Sequence, residues 1–381
     1  MRRLSCLLTV LALPCLLPAQ TDKPLRIAVA GLVHGHVDGF LLRPAQTRKD
    51  IEIVGIFEPN TASAATVAKK YGFPQSILYA NLDTMLDRVK PDAVAIFTNP
   101  FDHAMVVESA APRHLPVMME KPLAVSVEHA LRIKQAADRY GIQVVVDYET
   151  SWYASHGAIW DLMKGGAHRP PVSVVRDEKE KAVGDIRRMV AMDGHQGPKE
   201  IGVGPEFLEF LKNPTLNGAG ALFDFGCYGA NLMTWLMDNQ RPSAVMAMTR
   251  HIKPDIYPDV DDDATILLEY PKAQGVIEAS WNWPFSRKDL EVYAERGYAI
   301  ATGGNSLRVR LPRGPEEART LAPLPADEQD ALSYFSAVAR GKRKSTGLSS
   351  LENNVIVTEI LEAARESART GNKVLLTRNP Q

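Results

Sequence analysis

Between Leu25 and Asp147 the chain alternates short, almost uninterrupted apolar runs with stretches of helical spacing, a pattern that few folds accommodate. Leu25-Ile27-Val29 leads into Gly31, Ile51 to Phe57 ends at Glu58-Pro59, and Ala93 to Phe97 ends at Thr98-Asn99-Pro100. Pro116 to Met119 ends at Glu120-Lys121-Pro122, and Ile142 to Val146 follows. Ala62 to Tyr71, His103 to Ala111 and Val127 to Tyr140 lie between these runs with helical spacing. Strands that are apolar throughout need cover on both faces, and parallel neighbours need a crossover helix. The pattern predicts an α/β fold, a doubly wound parallel sheet over residues 24–147.

Beyond Asp147 the character changes. A helix is expected from Ser151 to Lys164, and residues 177–217, rich in Gly, Pro and charge, read as a long functional loop. Another helix is expected from Ala221 to Met237. Strand-like runs follow with no helix between them: Ala244 to Thr249, Ala264 to Tyr270, Gly275 to Trp281, Leu290 to Ala294 and Tyr298 to Thr302. Asp327 to Arg340 and Leu351 to Thr370 read as closing helices. Consecutive strands favour antiparallel pairing. Residues 148–376 are therefore expected to form a C-terminal α+β domain around a large open, mainly antiparallel sheet. Its terminal helices are placed to pack back on the first domain.

Residues 1–20 stand apart. Arg2 and Arg3 precede the apolar run Leu4 to Leu17, which Pro18-Ala19-Gln20 ends. The run is shorter than the roughly 20 residues of a spanning helix and carries no polar face, so it reads as a secretory signal peptide. Export to the periplasm is expected, by either the general or the twin-arginine route. Removal takes Arg2 and Arg3 and no acid, which moves the net charge from -1 to -3. It also removes Cys6 and Cys15, leaving Cys227 with no partner for an internal disulfide. Basic residues are scattered and form no patch, so nucleic acid is excluded as a partner. No membrane association is expected after signal removal.

The first strand-to-helix turn of a doubly wound sheet is where a dinucleotide binds, through glycines that bring backbone close to the pyrophosphate. Here the turn reads Ala30-Gly31-Leu32-Val33-His34-Gly35-His36-Val37. The first glycine, Gly31, is present, but Val33 and His36 occupy the second and third glycine positions. Glu58, at the end of the second strand, lies where an acid accepts from the ribose hydroxyls, or else it caps the following helix. A ribose-facing carboxylate favours NAD over NADP. His34 and His36 invite a metal reading, but the sequence places no further histidine or carboxylate nearby to complete a site. Loop packing, or N–H donation to phosphate or substrate, remain as their roles.

Thr98-Asn99-Pro100 with His103, then Met119-Glu120-Lys121-Pro122-Leu123, and later Gly218 to Tyr228, resemble the Gfo/Idh/MocA oxidoreductase family. The resemblance runs over nearly the whole chain after the signal. It implies an N-terminal Rossmann domain binding NAD, with NADP the alternative, and the cofactor contacts expected are Gly31, Val33, His34, Gly35, His36, Glu58, Thr98, Asn99, Pro100, His103, Glu120 and Lys121. It implies a sugar or cyclitol substrate that is oxidised or reduced against the second sheet, and a homo-oligomer formed through that sheet's open face. It also implies a site combining Lys121, Asp224 and the residue four further on, which is Tyr228 as in glucose–fructose oxidoreductase-like members.

The residue chemistry is consistent with this. Asp224 and Tyr228 are four apart on the expected helix, so both project from one face. Lys121 lies at the carboxyl end of a parallel strand, where ligands of doubly wound sheets bind. A tyrosine is a poor base unless a nearby ammonium lowers its pKa. Tyr228 is therefore expected as acid/base, Lys121 as the pKa-lowering cation and Asp224 as an anchor for a substrate hydroxyl. Cys227 reads as core packing. Softer substrate candidates are Tyr148, Glu149, Trp152 and Tyr153 after the last strand of the first sheet, and Asp193 and His195 in the long loop. Trp281 and Trp283 are either sugar platforms or buried sheet aromatics, and Asp259 with Asp261 to Asp263 reads as a solvated strand start.

Export sets a condition on this chemistry, because free nicotinamide cofactor is not available outside the cytosol. The expectation is a tightly bound cofactor recycled within the site. Two rivals remain. One is a redox-neutral glycoside hydrolase or lyase that uses NAD transiently, with His195 as an extra base. The other is a non-catalytic sugar-binding protein, suggested by Val33 and His36.

Overall fold

A computed structural model of the protein describes residues 23–165 and 183–376; the expected signal peptide lies outside them. The first sheet contains β1 (Leu25–Ala30), β2 (Ile51–Phe57), β3 (Leu78–Tyr79), β4 (Ala93–Ile96), β5 (Val117–Glu120) and β6 (Val144–Asp147). All are parallel, in the order β3-β2-β1-β4-β5-β6. Every residue of β4, β5 and β6 is buried, as strands covered on both faces must be. The crossover helices begin where side chains can accept orphan amides: Asn60 from Ser63 N–H at 3.2 Å, Ser126 from His129 N–H at 3.2 Å. The helix Ala331–Ala339 packs on one face of this sheet, its Leu332 and Phe335 in one apolar cluster with Ile27, Val29 and Ile53.

The second sheet has nine strands: β7 (Ile186–Gly194), β8 (Ala244–Arg250), β9 (Asp263–Glu269), β10 (Gln274–Ser280), β11 (Arg287–Ala294), β12 (Tyr298–Ala301), β13 (Ser306–Arg310), β14 (Glu317–Thr320) and β15 (Val374–Leu375). Their order is β14-β13-β12-β11-β7-β10-β9-β8-β15, and the pairing is antiparallel except between β7 and β10. This corrects the expected loop over 177–217, since β7 lies inside that range and near the middle of the sheet. Its buried Met189, Ala191 and Asp193 alternate correctly, but Arg187, Arg188 and the buried acid dilute the apolar signal.

The buried helix Gly226–Leu236 covers one face of this sheet. At Gly229 an added Cβ would lie 2.7 Å from Ile277 Cγ2, so only glycine permits that approach. The long helix Leu351–Thr370 packs on this helix and on the first-domain helix Val127–Tyr140, binding the two layers together. Between them the carboxyl ends of β1 and β5 face the end of β7.

Candidate functional site

The turn after β1 keeps its first glycine for a steric reason. Gly31 has φ +85°, and a Cβ there would lie 2.6 Å from Thr98 Cγ2 and 2.7 Å from Thr98 N. The turn is tied to its neighbours: Gly31 N–H donates to Phe57 O at 2.8 Å, and His34 N–H to Phe97 O at 3.0 Å. Glu58 is buried and accepts from Leu32 N–H and from Asn60 N–H, both at 3.0 Å. Its carboxylate thus both fastens the glycine turn and supports the start of the next helix.

A cavity of about 880 Å³ opens beside this turn. Val33, His34, Gly35 and His36 line one wall, and Lys121, Glu149, His195, Asp224 and Tyr228 converge at one end. Asn60, Ser63 and Lys70 line the other end. Parts distant in sequence thereby form one elongated cleft between the two sheets, a common setting for a small-molecule site.

At the convergent end Lys121 Nζ donates to Asp224 Oδ1 at 2.5 Å and to the Asp224 carbonyl at 2.7 Å, with the two side chains 6% and 8% exposed. Trp281 Nε1–H donates to Asp224 Oδ2 at 2.8 Å. Burial opposes both charges. Even so, the pull of Asp224, with help from Cys227 and Glu120, holds Lys121 above the ordinary lysine pKa. Lys121 likewise holds Asp224 below the ordinary carboxylate range. Each Asp224 oxygen thus accepts one bond and keeps a further acceptor site, so the carboxylate positions Lys121 and still borders the cavity. Trp281 is correspondingly a buried donor rather than a sugar platform.

Tyr228 also departs from expectation. The helix is interrupted at Phe225, between the short turn Ala221–Asp224 and Gly226–Leu236, so Asp224 and Tyr228 meet the cavity from two segments. Lys121 Nζ sits 5.1 Å above the Tyr228 ring centroid, and Lys288 Nζ 5.2 Å. The net shift at the phenol is nevertheless upward. Burial first, then Cys227, Glu149, Glu120 and Asp224, push its pKa well above the ordinary value. At Tyr228 burial and the neighbouring acids therefore outweigh the two ammonium groups. Cys227 is buried, as core packing requires.

The first wall holds a trio that the sequence does not reveal. His36 Nδ1 lies 3.1 Å from Glu120 Oε1, and His34 Nε2 lies 3.9 Å from Glu120 Oε2. The expectation that no carboxylate completes the histidine pair is corrected: one ligand atom from each of the three residues falls within 4.8 Å of the others. Burial lowers the His34 pKa to about 3, and Glu120 keeps His36 above the usual histidine value against the effect of its own burial. Within the trio His36 and Glu120 are hydrogen-bonded, while the His34–Glu120 distance exceeds hydrogen-bond length.

Several expected contacts lie off the cavity. Thr98 backs Gly31, Asn99 Nδ2 donates to Asp102 Oδ2 at 2.8 Å, and Pro100 is buried. His103 is wholly buried with Nδ1 3.1 Å from Leu123 O, and burial lowers its pKa to about 4. These residues form the wall behind the turn. Tyr148 is fully buried with its ring 5.4 Å from that of Tyr228, and Trp152 Nε1–H donates to Asp147 Oδ1 at 2.9 Å. Tyr153 O–H donates to Glu149 Oε1 at 2.5 Å. Asp193 is buried beneath the site, and burial, reinforced by Asp289 and Glu149, raises its pKa well above normal. Asp261 and Asp262 are no solvated strand start. Asp261 accepts from Gly220 N–H at 2.9 Å and Leu222 N–H at 2.7 Å, holding the turn before Asp224, and Asp262 accepts from Lys253 N–H at 2.6 Å.

Three cavity residues have no warning in the sequence. Lys288, on β11, pairs with Glu149 at 2.5 Å. Glu206 and Phe207 come from the helix Pro205–Leu211, inside the expected loop. Gly204-Pro205-Glu206 carries a helix-start signal, but nothing local says what that helix covers.

Two family models match the chain. The one described as an oxidoreductase family with NAD-binding Rossmann fold covers residues 25–148, and the GFO/IDH/MocA C-terminal domain covers residues 179–300. D-glucoside 3-dehydrogenase of Escherichia coli is 30% identical over 131 residues, 34% of this chain and 36% of that protein. The rhizopine catabolism protein MocA of Rhizobium meliloti is 22% identical over 330 residues, 82% of this chain and 93% of that protein. Among solved structures, an aldose-aldose oxidoreductase from Caulobacter crescentus has TM-score 0.74 at 21% identity, covering 93% of this chain and 100% of that one. An inositol dehydrogenase homologue from Azotobacter vinelandii, complexed with NAD+, has TM-score 0.75 at 19% identity, covering 93% and 98%. The chain is a member of the GFO/IDH/MocA family of NAD-binding oxidoreductases.

Proposed function

We propose that the protein is an exported oxidoreductase that moves hydride between a tightly held nicotinamide cofactor and a hydroxyl-bearing carbon of a sugar or cyclitol. The observation carrying this reading is the convergence of Lys121, Asp224, Tyr228 and His195 at one end of a cleft walled by the glycine turn. The residues fit such a cofactor, because a Cβ at Gly31 would fill the tight turn that lets backbone approach a pyrophosphate. The turn from Gly31 to His36 and the Asn60–Ser63 edge would hold it, and when bound it supplies the hydride donor or acceptor.

The chain's own residues manage the substrate oxygen. Tyr228 retains its proton at neutral pH and is set to donate it. His195 Nδ1 accepts from Gly197 N–H at 3.0 Å, so the neutral ring carries its proton on Nε2. Burial, more than any charge, lowers the His195 pKa and keeps the ring neutral. Two donors and the fixed Lys121 charge border the same space, an arrangement that stabilises negative charge developing on oxygen. The Glu149–Lys288 pair adds polar groups for the remaining hydroxyls. Relatives named for D-glucoside and inositol oxidation support a polyol substrate. Export rests on residues 1–20, and self-association on the open face of the second sheet, where Met246 and Met248 are 45% and 52% exposed.

The test is direct. Purified from the periplasm and then denatured, the protein releases NAD(H), identified by absorbance and mass spectrometry. Tyr228→Phe keeps that cofactor and loses turnover with sugars. A folded, exported sample that contains no nicotinamide cofactor and binds none overturns the proposal.

A further inference from the structure

The helix Pro205–Leu211 belongs to the second half of the chain yet lies across the dinucleotide cleft. Its Glu206 reaches the edge beyond β2, where Oε1 accepts from Asn60 Nδ2 at 3.2 Å and Oε2 from Ser63 Oγ at 3.0 Å. The next residue, Phe207, packs on the turn itself, its ring tilted against that of His34. Its ring centroid lies 4.5 Å from that of His34, and a Cβ added at Gly35 would meet its ring at 2.8 Å. Asn60, Ser63, Glu206 and Phe207 all line the cavity. The helix therefore straps the cleft closed at the end opposite Lys121 and Tyr228.

That end is where the adenosine ribose of a dinucleotide lies in a doubly wound sheet, against the acid closing the second strand. Glu58 is that acid, but two backbone amides already hold its carboxylate. Glu206 brings a second carboxylate to the same edge, close enough to raise the Glu58 pKa further beyond the effect of burial. Among the described cavity residues the cation at this end is Lys70, and it is engaged by Asp38.

We propose that Glu206 is a specificity-determining residue, a carboxylate delivered by the second domain that admits a dinucleotide with a free ribose 2′-hydroxyl and rejects one bearing a 2′-phosphate. The inference rests on the nicotinamide-cofactor reading above. A free hydroxyl can donate to a carboxylate, whereas a phosphate brings further negative charge against two acids, with no unengaged lysine among the described cavity residues. Phe207 holds the strap on the turn, so the discriminating charge is present only when the strap is docked.

Glu206→Gln is the informative variant, because it removes the charge while its amide oxygen can still accept from Asn60 Nδ2 and its NH2 can donate to the Ser63 hydroxyl oxygen. Dissociation constants of the purified full chain for NAD and NADP, after charcoal treatment to remove any co-purified cofactor, are measured by calorimetry at low and high salt. The wild type is expected to prefer NAD. In the variant, NADP gains on the order of tenfold relative to NAD, and added salt shrinks the wild-type preference. If the variant binds NAD but the ratio moves by less than threefold, or if both cofactors weaken equally, the specificity role is overturned while the cofactor reading stands. If the wild type binds neither cofactor, both fall.

Discussion

Replacing Lys121 by Met tests the central pair of the site. The substitution removes a charge whose Nζ lies 2.5 Å from Asp224 Oδ1 and 2.7 Å from its carbonyl oxygen. It leaves a carboxylate only 8% exposed whose remaining side-chain donor is Trp281 Nε1. Breaking a buried ion pair from one side costs about 3–5 kcal/mol, mostly as the penalty of an uncompensated charge. The loss carries a pH signature. In the wild type the folded Asp224 carboxyl is held below its unfolded value. Its stabilisation is therefore present above the unfolded pKa and disappears as pH falls through the folded one. Without Lys121, burial dominates and the folded pKa rises above the unfolded value. The variant then recovers as pH falls and the carboxyl takes a proton, by about 1.4 kcal/mol for each pH unit that separates the folded from the unfolded pKa.

Urea unfolding at pH 7.5 and pH 5, followed by circular dichroism and tryptophan fluorescence, measures both effects. Adding Asp224→Asn to Lys121→Met should restore at least half of the loss, since the amide keeps an acceptor for Trp281 and removes the stranded charge. A Lys121→Met protein within about 1 kcal/mol of wild type at pH 7.5 would refute the reasoning. So would a deficit that is the same at both pH values.

Three other outcomes follow from the geometry. Burial, with the charge of Glu120 adding to it, raises the Asp147 pKa to about 8, so the folded state holds a proton that the unfolded state releases near the ordinary carboxyl value. Stability from this group declines as pH rises between those values, so the melting-temperature advantage of Asp147→Asn should widen from pH 5 to pH 8.5. A constant gap rejects this. Gly31→Ala, at φ +85° and with its new Cβ 2.7 Å from Thr98 N, should lose at least about 2 kcal/mol and weaken NAD binding; an unchanged melt argues against the tight turn. His195→Gln should lower turnover with little effect on cofactor affinity, and equal affinity and turnover to wild type would remove His195 from the site.

The parallel sheet was legible because its strands are buried on both faces and therefore leave continuous apolar runs. The nine-stranded sheet was only partly so. β7 carries Arg187, Arg188 and a buried Asp193, and its place in the middle depends on neighbours β10 and β11, encoded about 90 residues later. Site residues divide in the same way. Lys121, Asp224 and Tyr228 could be picked out by residue type and motif, and Gly31 by the turn it must make.

What each of them does was decided by tertiary contacts. A lysine near a tyrosine lowers its pKa only where it outweighs burial and the nearby acids, and at Tyr228 it does not. Glu120 became the partner of His34 and His36 because β5 ends beside the turn after β1. Asp261, read as solvated, is buried because it accepts the amides that shape the turn before Asp224. By itself the sequence determined which strands must be covered and which residue types meet at strand ends, since periodicity and backbone sterics are local. Only the folded chain decided which charges neutralise one another and that Glu206 closes the cleft, because burial and electrostatic pairing depend on distances between residues far apart in sequence.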